Sequence, residues 1–490
     1  MKYNDTKLIV FLKTFSMKEL EEFEKFIISP YFKQGRDLLP LYKAIIKFHP
    51  EFDAEKFNEE IVFKEMYPDS DFGDRKSKDI LKTLSSSLLK MAEEFLVISN
   101  LRKNKVLKNR TMLEELLDRG LVKYYIQYRT TAENELDKEG ELSAQTYHED
   151  YFIDGINTRY YVNILDHKNY LKYGVKSGED ISVYYILNLL RISKLKYFSH
   201  MGNNLKSEQD ITSGMLEQLD MEKILNICKN KPYHFLIEFH YNSYLSLINK
   251  CDIGYFQKAK NIFFKNKSKL SRLEKFYLYA DLLNILNIGY QFLKIFENRN
   301  QIYALLKSCI EDKAYKLSGE AFMQPGFYRN IILNAIYFKE FDFADKFIEE
   351  YSAELKPSQR KNMKFYSKAL ISFANSDFEG AMLNVSKVRY DLENFKIDVK
   401  ILSLKIYYEL QLTEQAFSMI DAFKHNLKSN KDIPEALNKS YFNFLNSYLK
   451  LYNMKNKGSY DDAEYLRNEI ENEAFMAQKN WLVEKINALK

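Results

Sequence analysis

The chain has 490 residues, 73 Lys and Arg against 68 Asp and Glu for a formal charge of +5, and only 15 Gly and 8 Pro. So few breakers disfavour turn-rich β folds and point to long helices, and so small a net charge argues against a chain built chiefly to hold nucleic acid. Three scattered cysteines without a CxxC read as thiols of a reducing compartment, and no apolar run is long enough for a signal peptide or a membrane span, so a soluble cytoplasmic protein is expected.

Ser16-Met17-Lys18-Glu19 has the form of a capping box, which starts a helix at Met17 with Leu20, Phe23, Phe26 and Ile27 on one face and a stop at Ser29-Pro30. A short helix around Leu38 to Phe48 follows. Pro68 to Gly73 (PDSDFG) reads as a turn, after which Ile80, Leu84, Leu88, Met91 and Phe95 space out a long amphipathic helix. Residues 1–105 are therefore expected to form an N-terminal helical domain. The phrase from Ser16 to Phe23 resembles the first helices of death-fold adaptor domains, but an ordinary helical cap on the following array is the preferred reading. Arg102, Lys103, Lys105, Lys108 and Arg110 crowd the boundary and read as a solvated helix face. Over 106–250 helical hairpins of unassigned type are expected. Gly120 suits a left-handed helix end, Tyr124, Tyr125, Tyr128 and Ala132 mark the next helix, and polar breaks fall at 174–181 (GVKSGEDI) and 202–214.

Further on, one short word recurs: Phe341-Asp342-Phe343-Ala344, Phe378-Glu379-Gly380-Ala381, Thr413-Glu414-Gln415-Ala416 and Tyr460-Asp461-Asp462-Ala463. The alanines are 37, 35 and 47 residues apart, with an apolar helical stretch before each and an amphipathic one after. Such a period marks a helical-hairpin array, with the word as its corner. The aromatic plugs the gap between helices, the acid suits a helix N-terminus, and the alanine allows close approach. The pattern resembles the tetratricopeptide repeat, a helix-turn-helix unit of about 34 residues. The matching residues are Phe341 and Ala344, Phe378 and Ala381, Ala416, and Tyr460 and Ala463, with Pro357 where such units often end. Thr413 replaces an aromatic, residues 428–439 are an insertion, and a weaker copy lies at Phe256 to Ala259. An all-α architecture follows, with a TPR-like α-solenoid over 251–490.

The resemblance implies that the first helix of each hairpin lines a concave groove. On that rule Arg329, Tyr337, Tyr366, Phe373, Lys405, Tyr408, Tyr448, Tyr452 and Lys455 are the candidate partner-binding residues. No phosphate loop, dinucleotide fingerprint, nucleophile elbow or HExxH occurs, and Cys228, His234, His240 and Cys251 lack the spacing of a zinc site, so neither enzyme activity nor a cofactor or metal is expected. Two classes remain. The favoured one is a non-catalytic scaffold holding a protein or peptide partner; the alternative is a nucleic-acid-binding repeat protein using the basic boundary at 102–110 and cations such as Lys258, Lys260, Lys265, Lys267, Lys269 and Arg272.

Overall fold

Polar side chains decide where many of the helices begin. The computed structural model describes residues 3–489 apart from 33–34, 54–55, 138–141, 204, 206–207, 209, 290–298, 319–320, 390–392, 431–432 and 459. Among the described residues it is all-helical, with no β-strand. The chain divides into two units, Met1–Lys138 and Glu139–Lys490.

The first unit holds α1 (Lys7–Leu12), α2 (Met17–Ile28), α3 (Leu39–Ile46), α4 (Glu59–Met66), α5 (Arg75–Lys103), α6 (Lys105–Asp118) and α7 (Val122–Asp137). The capping box forms as expected: the Ser16 hydroxyl accepts from the Glu19 amide at 3.3 Å, while the Glu19 carboxylate accepts from the Ser16 amide at 2.9 Å. Ser29 ends α2. Helix α4 is capped by Asn58, and Glu59 and Glu60 meet its positive end. Phe15, Phe23, Phe26 and Phe95 interlock in the core, with ring centroids 5.3 Å apart for Phe23 and Phe95, and the Tyr42 hydroxyl donates to the Leu20 carbonyl at 2.7 Å.

The second unit opens with α8 (Ala144–Asn163), α9 (His167–Asn203), α10 (Ile211–Gln218), α11 (Met221–Ile227), α12 (His234–Ile248), α13 (Ile253–Asn266), α14 (Arg272–Ile288) and α15 (Arg299–Glu311). It continues through α16 (Pro325–Tyr337), α17 (Phe341–Tyr351), α18 (Pro357–Ala374), α19 (Phe378–Val385), α20 (Glu393–Glu409), α21 (Thr413–Ser429), α22 (Glu435–Lys457), α23 (Ala463–Asn472) and α24 (Lys479–Asn487). One expectation fails here. The stretch 174–181 is no break but lies inside α9, where two glycines cost about 1 kcal/mol each against alanine. Packing on α8 overrides that cost: the Ser177 hydroxyl donates to the Tyr151 carbonyl at 3.1 Å, Lys176 pairs with Asp154 at 2.8 Å, and Val183, Leu187 and Leu190 are buried. The break at 202–214 does occur between α9 and α10, with residues 204, 206, 207 and 209 outside the described residues.

The recurring word turns out to open the second helix of a pair. Helices α17, α19 and α21 begin at its first residue and bury Ala344, Ala381 and Ala416 completely. Two residues earlier Lys339, Ser376 and Gln411 each take the left-handed conformation, and the next amide reaches back to the carbonyl five residues before it at 2.8–2.9 Å. That is the Schellman helix end, which satisfies carbonyls that would otherwise be orphaned. The same backbone recurs at Gly120, Leu165 and Lys313, closing α6, α8 and α15. Gly380 makes room for a cap: Asp377 accepts from its amide at 2.9 Å, and a β-carbon there would lie 1.9 Å from the capping carboxylate and push it aside. The fourth copy departs. Its left-handed residue is Gly458, Tyr460 is exposed, and Ala463 is the first residue of α23.

Because Ser376 is exposed and pays for a positive φ of 62°, Ser376→Gly should stabilise the fold by about 0.5–1 kcal/mol. Ala381→Leu should destabilise it by about 1–3 kcal/mol through overpacking. Urea denaturation of both variants checks these signs, and a Ser376→Gly protein less stable than wild type would contradict the left-handed corner.

Candidate functional site

First helices meet one another across the C-terminal pairs. Helix α16 packs on α18, and α18 on α20. Side chains extend the series, since the Tyr448 hydroxyl of α22 donates to the Leu404 carbonyl of α20 at 2.7 Å and Lys455 donates to the Tyr408 carbonyl at 3.0 Å. An ion pair also spans from α16 to α20: Arg329 Nη2 donates to Asp398 Oδ1 at 2.6 Å, and Nε lies 2.5 Å from Oδ2. Tyr366 of α18 and Tyr441 of α22 lie close enough to feel these charges. Burial disfavours the free Arg329 cation, but Asp398 outweighs it and holds the guanidinium charged.

The nine expected partner-binding residues therefore divide. Tyr366, Tyr408, Tyr448 and Tyr452 are at most 3 % exposed and belong to the core. The Tyr408 ring stands 5.3 Å from Trp481 and 5.8 Å from Tyr452, in an aromatic cluster joining α20, α22 and α24. Arg329 is spoken for by Asp398. Tyr337 is 53 % exposed, and Phe373, Lys405 and Lys455 are partly exposed, so these four carry the accessible surface. Arg299 lies over the Tyr337 ring at 4.1 Å and Lys455 over the Tyr408 ring at 4.2 Å, both at cation–π range. Burial draws the Lys405 ammonium down to about 8, with Lys485 and Arg299 adding repulsion against the pull of Glu484.

Sequence reasoning missed a charged network inside the second unit. Lys194 of α9, 1 % exposed, donates to His240 Nδ1 of α12 at 2.7 Å and also pairs with Asp281 of α14. Glu274, seven residues before Asp281 on α14, pairs with Arg191 and accepts from the Ala144 amide at 3.3 Å. Burial alone would raise both carboxyls, yet Lys194 acting on Asp281, and His240 with Arg191 acting on Glu274, hold each down to about 2. Burial and the neighbouring Lys194 lower His240. The signal that could have found this network is two acids seven residues apart, hence on one face of a largely apolar helix. Three to four turns earlier on α9, facing α8, Asp180 is 6 % exposed, its Oδ2 meets no hydrogen-bond donor, and burial with Asp150 and Asp154 nearby pushes its carboxyl up to about 7.

The weighed zinc residues do not converge: His240 serves Lys194, His234 faces Glu238 at 3.7 Å, and Cys228 and Cys251 are buried free thiols. Among the described residues no group of His, Cys, Asp and Glu is arranged to hold a metal, and no helix is long and apolar enough to cross a membrane. Several of the cations weighed for nucleic acid are engaged within the chain. Lys267 pairs with Asp312 at 3.0 Å, Arg272 donates to the Lys316 and Leu317 carbonyls, and Lys269 lies over the Phe235 ring. No protein-family model matches the chain, and neither a curated protein nor a solved structure does.

Lys194→Met would leave Asp281 without its buried cation, and a loss of about 3–5 kcal/mol is expected by chemical denaturation. Asp180 gives a pH dependence of definite sign. Its folded-state value of about 7 lies above its ordinary 3.8, so the folded chain holds a proton that the unfolded chain releases between those values. Stability contributed by that proton is full at low pH, falls as pH rises through the window, and is gone above about 7. Asp180→Asn should flatten the fall between pH 5 and 7 measured by urea midpoints; an unchanged slope would assign it to other groups.

Proposed function

We propose that the protein is a non-catalytic interaction scaffold whose C-terminal hairpins stack as a tetratricopeptide-like α-solenoid over 251–490 and hold a partner segment against their first helices. The observation that carries this reading is the unbroken meeting of first helices α16, α18, α20 and α22 through Arg329–Asp398, Tyr366 and Tyr448–Leu404. Stacked repeats of this kind offer an extended surface rather than a closed cleft. Tyr337 and Phe373 supply aromatic side chains of the kind enriched at interface cores, and Lys405 and Lys455 supply charge. The preceding hairpins share the Schellman corners at Gly120, Leu165 and Lys313, which supports one building plan upstream. Three buried free thiols fit a reducing cytoplasm.

The test replaces Tyr337 or Phe373 with a photo-cross-linking phenylalanine analogue in the native host. Tyr465 of α23, 73 % exposed, serves as the control position. Cross-links from 337 and 373 to one contiguous segment of a single protein, absent from 465, are expected. Cross-links equal at all three positions, or none at 337 and 373, would refute the groove. Tyr366 and Tyr408 are unsuited to this test, because truncating either opens a core cavity costing about 3–5 kcal/mol.

A further inference from the structure

Charge is unbalanced at one end of the first-helix surface. Lys405 lies between two aromatic rings, its Nζ 5.9 Å from the centroid of Phe373 and 5.6 Å from that of Trp481. The lysines around it have acceptors: Lys455 donates to the Tyr408 carbonyl at 3.0 Å, and Lys485 meets Glu409 at 2.8 Å and Glu484 at 3.0 Å. Lys405 has neither a hydrogen bond nor an ion pair among the described residues. The buried Trp481 Nε1 meets no acceptor either. Glu484, the acid that acts on Lys405 from a distance, is 67 % exposed and engaged with Lys485. Two donors, the Lys405 ammonium and the Trp481 indole, thus stand without an acceptor in a region walled by Phe373, Tyr408 and Trp481.

We propose that Lys405, together with Lys455 over the Tyr408 ring on the next first helix, receives the side-chain carboxylates of an acidic, apolar-flanked segment of the partner protein. This rests on the scaffold reading above and names the chemistry of what the scaffold holds. An ammonium in low-polarity surroundings gains more from a carboxylate than an exposed one does. The aromatic walls suit apolar side chains on either flank of the acid. A doubly charged phosphate fits less well, because Glu409 and Glu484 would repel it.

Binding should also take up a proton. Burial holds Lys405 near 8 in the free protein, and an arriving carboxylate favours its charged form. Arg299, Glu484 and Lys485 act on Lys405; burial lowers Lys455 as well, with Lys485 adding to it against the pull of Glu409; the two carboxylates on Lys485 hold that group charged. Affinity should therefore fall as pH rises from 7 to 9, by up to about tenfold.

Trp481 is the single tryptophan of the chain, so its emission reports the site directly. The probe is an N-acetylated, C-amidated hexapeptide alternating glutamate with leucine, titrated at pH 7 and 9 into wild type, Lys405→Met and Lys405→Arg. Controls are the glutamine–leucine peptide, amidated or with a free C-terminus, and inorganic phosphate. The expected result is saturable binding of the glutamate peptide, weaker at pH 9, lost at least about tenfold in Lys405→Met, and restored without the pH dependence in Lys405→Arg. Wild-type affinity in a folded Lys405→Met protein would overturn the proposal. So would pH-independent wild-type binding, a free-carboxylate glutamine peptide or phosphate that binds as well as the glutamate peptide, or no binding. The pH arm needs no variant to fold. Cross-linking at 337 that persists in Lys405→Met refutes the carboxylate site and spares the scaffold. Glutamate-peptide binding through Lys405 without any cross-linked partner does the reverse.

Discussion

Every helix that ends inside a packed array must dispose of its last carbonyls, and in this chain one solution is used again and again. A left-handed residue turns the backbone so that amides fall back onto the final turn, two of them at Lys339 and at Ser376 and that of Leu412 after Gln411. Because the reversal consumes so few residues, the next helix starts at once and must lie close against the first. That closeness admits only a small side chain at the contact, which is why Ala344, Ala381 and Ala416 are fully buried. Five of the six left-handed residues that close helices in this way are not glycine, so the conformation is imposed by the packing that follows and not by local preference.

Close first helices create a second constraint, that polar groups between them must find partners. Arg329 and Asp398 satisfy each other across the span from α16 to α20, while the Tyr448 hydroxyl uses a main-chain carbonyl. In α9, α12 and α14 the same demand is met by five ionisable groups at once. Lys194, Asp281, Glu274 and Arg191 form two opposite pairs, and a neutral His240 sits between them, so the group is balanced although it is buried. Such a network adds little net stability over apolar packing of equal volume, but any single member removed leaves a charge exposed to low-polarity surroundings.

Helix identity was legible wherever local signals and packing agreed. The capping box at Ser16, the stop at Ser29 and the left-handed Gly120 were readable because each is decided within a few residues. The GVKSGEDI stretch misled for the opposite reason: two glycines and a run of polar groups favour a loop locally, and only the contacts of Ser177 and Lys176 with α8 keep α9 helical. The period of the corner words was visible, whereas the backbone that makes them was not, since lysine, serine and glutamine carry no left-handed signature. The ion pair from Arg329 to Asp398 was out of reach because it joins residues 69 positions apart.

The candidate groove shows where amphipathic reasoning loses its grip. A first helix in the middle of a stack touches its own second helix and a first helix on either side, so most of its circumference is interior. Tyrosines chosen for their spacing then fall mainly into the core, as Tyr366, Tyr408, Tyr448 and Tyr452 do. Long cationic side chains behave differently, because their stems can lie along aromatic faces while their heads reach the rim. Lys405 Nζ lies against the rings of Phe373 and Trp481 and Lys455 Nζ over that of Tyr408, while both residues stay partly exposed. Tyr408, Tyr448 and Tyr452 instead pack with Trp481 into one aromatic cluster, and by filling the interior they fix where the Lys405 and Lys455 ammonium groups stand.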